Sequence, residues 1–151
     1  MVAEDCVAGA EHPNVTAVKA LMTAFTRQDR HAIESLIDPC CVWRVPGVNS
    51  IAGEYTGRPA VFRLFALLKR IMSCPASFDI LDIEARGDLV ISVQDAVIVI
   101  AGRMFRIKEQ LTYRLRDGRV IEVEEYQFDQ DEFDRIFAPE DGPIAALAET
   151  V

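Results

Sequence analysis

LVISVQDAVIVIAGRMFRIKEQLTYRLRDGRVIEVEEYQFD, residues 89–129, decides how this chain is built. Three runs of alternating apolar and polar residues are separated by Ala101-Gly102 and by Arg116-Asp117-Gly118, so the stretch reads as three consecutive antiparallel strands. A two-residue loop at Ala101-Gly102 sets Ile100 opposite Arg103, and therefore Gln94 opposite Glu109 and Ser92 opposite Leu111. A three-residue loop at 116–118, closed by Gly118 at positive φ, sets Leu115 opposite Arg119. Tyr113 then faces Ile121, Leu111 faces Val123, Glu109 faces Glu125 and Ile107 faces Gln127. The two registers agree on one apolar face crossed by a polar row, Gln94, Glu109 and Glu125.

Two carboxyl groups on an apolar face do not both ionise cheaply. Burial and like charge each favour the neutral form, so one of the pair is expected to titrate near neutral pH and to serve as a general acid or base. Glu125 is the expected base, Glu109 the acid and Gln94 the amide that orients them. The bland alternative is a face open enough to hydrate both glutamates, or a bulge that turns one outward.

At 151 residues and 50% apolar composition the chain is long enough for one domain with a real core. A formal charge of -8 without a Lys/Arg cluster argues against nucleic acid and anionic membranes as partners. No apolar run has signal-peptide or membrane-span character, which points to a cytoplasmic protein. Cys6, Cys40, Cys41 and Cys74 form no Cys-x-x-Cys pair, and His12 and His31 are not spaced to join them, so no metal site and no cofactor is expected. The cysteines read as reduced, partly buried thiols.

Residues 1–13 read as a loose arm. Asn14 opens a helix with Val15, Val18, Leu21, Met22 and Phe25 at helical spacing, and Asp29 or Arg30 opens a short second one that stops before Pro39. A strand over 40–45 carries Trp43, an expected pocket wall, and ends at Pro46-Gly47. Thr56 caps a third helix with Pro59 in its first turn and a Val61, Leu64, Phe65, Leu68 stripe. A strand over 78–85 leads into the three-strand run, a short helix follows over 130–137, and 138–151 is a tail able to cover a pocket mouth or pack on a partner.

Helices followed by a curled antiparallel sheet make an α+β fold: residues 14–137 form a cone whose helices close an apolar pocket. The outward residues Ile91, Val93, Val97 and Val99 suggest a homodimer through the outer sheet face.

The stretches Val42-Trp-Arg-Val-Pro-Gly47, Ile51-Ala-Gly-Glu-Tyr-Thr-Gly-Arg-Pro-Ala-Val61 and Asp117-Gly-Arg-Val-Ile-Glu-Val-Glu-Glu-Tyr126 resemble SnoaL-like proteins of the nuclear transport factor two-like superfamily. The resemblance implies the cone fold but not the reaction, because this fold hosts isomerases, cyclases, dehydratases, epoxide hydrolases and non-enzymes. The positions of the ketosteroid isomerase Tyr and two Asp residues hold Leu21, Val45 or Arg44, and Leu111 here. The positions used by limonene epoxide hydrolase-like members hold Gln94, Ala96, Glu125, Trp43 and Val45, so only the last-strand acid, Glu125, is kept. Together, the acidic pair and the resemblance imply a cofactor-independent acid/base enzyme acting on a mostly apolar small molecule by isomerisation, cyclisation or epoxide opening, in secondary metabolism. Its expected pocket lining is Trp43, Val45, Tyr113, Leu111, Val123, Ile107, Gln127, Leu21, Phe25 and Phe65. The alternative is a non-catalytic carrier using the same cavity.

Overall fold

The computed structural model describes residues 10–138; the expected N-terminal arm, Cys6 and the C-terminal tail fall almost wholly outside them. Among the described residues four helices, α1 (Pro13–Thr26), α2 (Arg30–Leu36), α3 (Arg58–Ile71) and α4 (Gln130–Ile136), accompany six strands. These are β1 (Ile37–Val45), β2 (Gly53–Thr56), β3 (Ser77–Arg86), β4 (Leu89–Ile100), β5 (Arg103–Arg116) and β6 (Arg119–Gln127). The sheet is unclosed, in the order β2-β1-β6-β5-β4-β3. It is mixed rather than wholly antiparallel, because β1 runs parallel to β6, with Trp43 beside Val123. No described helix is long and apolar enough to cross a membrane.

Local chemistry sets the helix starts. The His12 side chain accepts from Asn14 N–H ahead of Pro13, and Asp29 accepts from Ala32 N–H to open α2. Gly57, at φ +90, precedes α3 without a side-chain cap, so Thr56 is the end of β2 and not the cap expected of it. Val15, Val18, Leu21 and Met22 of α1 and Val61 and Leu64 of α3 are buried against the sheet.

The β4–β5 register is as read from the sequence, with Gln94 opposite Glu109. The β5–β6 register is not. Asp117 and Gly118 both have positive φ, 53° and 77°, which makes a two-residue mirror-image turn and sets Arg116 opposite Arg119. A bulge at Ile121, between the pairs Leu115/Val120 and Arg114/Glu122, then adds a second residue of slip. Glu109 therefore stands opposite Gln127, and Glu125 opposite Leu111. A slip of two is one full pleat, so Glu125 keeps the concave face that the sequence assigns to it.

The loop between β1 and β2 is tied to α4 by one carboxylate. Asp134 Oδ1 accepts from Val48 N–H at 3.2 Å, Asn49 Nδ2 at 2.7 Å and Gln130 Nε2 at 3.0 Å, while Ser50 N–H donates to Phe137 O at 2.7 Å. This staple holds Ile51, Phe133 and Phe137 across one end of the space between helices and sheet.

Candidate active site

That space is a cavity of about 90 Å³. Leu21, Met22 and Phe25 of α1, Leu64, Phe65 and Leu68 of α3, and strands β1, β3, β4, β5 and β6 form its walls. Aromatic edges pack its roof: Phe65 meets Phe25 at 5.1 Å and Trp43 at 5.2 Å between ring centroids, both edge to face. Against this lining, the titratable groups are Glu109, Glu125 and Tyr113, with Gln94 beside them.

Glu125 sits at the cavity wall. Its Oε2 accepts from Trp43 Nε1 at 2.6 Å; Oε1 has no hydrogen-bond partner among the described residues. The parallel pairing of β1 with β6 makes this contact, since both side chains project from neighbouring strands onto the concave face. Burial first, and then the negative charge of Glu109, push the Glu125 carboxyl up to about 8; the Trp43 indole N–H opposes them. Glu125 is thus mostly protonated at neutral pH. Its side chain is half-buried and lines the cavity.

Glu109 lies deeper, 7% exposed, between two amides. Gln94 Nε2 donates to Oε2 at 2.7 Å and Gln127 Nε2 donates to Oε1 at 2.9 Å, while Ser92 Oγ donates to Gln94 Oε1 at 3.1 Å. Burial raises the Glu109 carboxyl and the two amide donors pull it back. Two donors on two oxygens suit the carboxylate, so the single charge of the pair rests on Glu109 and the proton on Glu125. Burial and both carboxyl groups also push the Tyr113 phenol up, leaving it neutral.

The structure brings together Glu125, Glu109, Gln94, Trp43, Val45, Tyr113, Leu111, Ile107, Leu21, Phe25 and Phe65, all at the cavity. It does not bring Val123 or Gln127 to the lining. Val123 is fully buried in the core, and Gln127 is spent on Glu109 because the turn and the bulge together carried it opposite that residue. Glu109 and Glu125 are diagonal neighbours, not the facing pair expected from the turn. The sequence reading missed Met72, Phe78, Ile98, Phe133 and Phe137 in the wall; the apolar end of the inward face of β4, Ala96, Ile98 and Ile100, was the available signal for Ile98.

Among the described residues no group of three His, Cys, Asp or Glu is placed to hold a metal ion. Cys41 is buried, and burial, then Asp38 and Glu122, push its thiol up to about 12, which makes it inert at neutral pH; Cys40 and Cys74 are exposed.

The SnoaL-like domain model matches residues 18–123. A comparison with curated proteins gives no match. Among solved structures, Bal32a from a soil-derived mobile gene cassette aligns with a TM-score of 0.78 at 24% identity, over 83% of this chain and 96% of that one. An NTF2-like protein of unknown function from Burkholderia pseudomallei gives 0.77 at 18% identity, over 85% and 100%. A candidate SnoaL-like polyketide cyclase from Jannaschia sp. CCS1 gives 0.69 at 18% identity, over 87% and 99%. At these identities the likeness is one of fold.

Proposed function

We propose, from the premise that this chain belongs to the SnoaL-like family, that it is an enzyme moving a proton within a small apolar substrate, by isomerisation or ring closure. The observation that carries this reading is a carboxyl raised to about 8 at the wall of an apolar cavity, with one oxygen held by Trp43 and the other without a partner among the described residues. Glu125 delivers its proton to a substrate carbonyl oxygen. The carboxylate so formed is stabilised by the Trp43 N–H, and the fixed charge of Glu109 disfavours its persistence. It therefore recovers a proton from a substrate carbon, and the net change is an isomerisation with the enzyme restored. Ring closure driven by such transfer is compatible with the polyketide cyclase description carried by the Jannaschia protein.

These roles differ from the sequence expectation: Glu125 acts first as acid, and Glu109 is a fixed anion that tunes it. Gln94 and Gln127 position Glu109. The test is deuterium incorporation from D2O into 2-cyclohexenone, followed by NMR. Wild type is expected to accelerate exchange, and Glu125→Gln to lose that acceleration by roughly 10²-fold or more. Equal exchange by both proteins would leave the cavity as a carrier site.

The outer sheet face supports a homodimer. Ile91, Val93, Val97 and Val99 of β4 stay half-exposed there, and Met104 of β5 is 71% exposed. A second copy offers the same apolar strip, interrupted at Asp95, and sedimentation of Val97→Lys as a monomer beside a dimeric wild type is the expected result.

A further inference from the structure

A second depression, of about 240 Å³, lies on the outer side of the roof. It shares Phe25, Phe65 and Met72 with the inner cavity, so these three side chains are the partition between the two spaces. The inner cavity alone is small beside the roughly 300–1,000 Å³ of sites that enclose drug-sized molecules. Joined across the partition, the two reach the lower end of that range.

The outer space is cationic in a chain that is acidic as a whole. The chain carries 24 Asp and Glu residues and a formal charge of -8, yet none of those acids lines this depression, whereas Arg30 and Lys69 do. Among the described residues neither cation has an ion-pair partner or a side-chain hydrogen bond. The Arg30 guanidinium lies 4.2 Å over the Phe62 ring, a stacking that leaves its N–H donors pointing outward in the plane of the group. Asp29, the neighbouring acid, is turned to cap α2 at Ala32 N–H.

We infer that this depression is the mouth of the active-site cavity, and that Arg30 and Lys69 take the carboxylate of an amphipathic substrate whose apolar part passes the Phe25, Phe65 and Met72 partition. The inference rests on the cavity being the reaction site and adds the substrate class, an apolar molecule bearing one anionic head. Both cations are exposed, so each ion pair contributes roughly two- to fivefold in affinity.

Trp43 is the only tryptophan, and its indole N–H lies inside the inner cavity on Glu125, so one indole cross-peak in a 1H–15N spectrum reports entry. Octanoate and 1-octanol are titrated at pH 7 into wild type and into Arg30→Gln/Lys69→Gln. Octanoate is expected to shift the indole peak and to bind wild type roughly tenfold tighter than octanol. The double variant, folded by its unchanged backbone spectrum, is expected to lose that advantage with octanol affinity unaltered. Equal affinity for the two ligands in wild type overturns the anionic mouth. Octanoate that moves Lys69 but not the indole peak, or that moves neither, overturns the connection to the cavity. These outcomes are independent of the proton on Glu125, which its own titration reads.

Discussion

Replacing Glu125 by Gln is expected to make the protein more stable at pH 8 and to flatten its loss of stability with rising pH. In an unfolded chain a glutamate ionises near about 4.3; in the fold Glu125 does so at about 8. Between those values the folded state holds a proton that the unfolded state has released, so stability falls as pH rises, and it is flat on either side. A gap of between three and four units at about 1.36 kcal/mol each amounts to roughly 5 kcal/mol by pH 8. That is large beside the roughly 5–15 kcal/mol of a typical domain. Glu109, raised in the same sense by burial, adds to the fall in wild type and remains in the variant. Glu122, held below the usual carboxylate range by Arg44, acts only under about pH 5 and leaves this window alone. Urea unfolding at pH 5, 6, 7 and 8 reads the difference between the two proteins. The two curves should converge toward pH 5 and separate by several kcal/mol at pH 8, with the variant above. Parallel curves across the series would refute the buried, protonated carboxyl.

Three further outcomes are expected. Glu109→Gln removes a charge at the diagonal cross-strand position, about 7 Å away, which at an effective dielectric near 20 is worth roughly 2 kcal/mol; the Glu125 titration should fall by about one to two units, and an unmoved titration would mean the two groups are uncoupled. Gly47→Ala is expected to cost more than about 2 kcal/mol in thermal or urea unfolding, because Gly47 has φ +96 and an added Cβ would lie 2.2 Å from Asp134 Oδ1 and from Gln130 Nε2. Ala101→Asn is expected to stabilise by about 0.5–1 kcal/mol, seen as a rise of roughly 1–4 °C in Tm, since Ala101 occupies φ 51° at the first position of a mirror-image turn.

Strand alternation between 89 and 129 was enough to place the sheet, the helices' covering role and the concave face, because period-2 patterning is local and unambiguous there. The register of β6 was not legible to the residue. Arg116-Asp117-Gly118 supports a three-residue loop as well as the two-residue turn it makes, and nothing in Val120-Ile121-Glu122 announces a bulge. The two slips jointly restore parity, which is why Glu125 and Glu109 were found while their pairing and the role of Gln127 were not. The parallel contact of β1 with β6 joins residues some eighty positions apart, and with it came the Trp43 hydrogen bond to Glu125. The cavity wall from α4 depends on the Asp134 staple, a tertiary contact with no periodic signal.

A carbon-detected NMR titration of the glutamate carboxyl groups tests the central claim most directly. We expect the Glu125 signal, assigned by its loss in Glu125→Gln, to titrate at about 8. An inflection near the ordinary value of about 4.3 would contradict the acid/base account and leave an apolar binding cavity in its place.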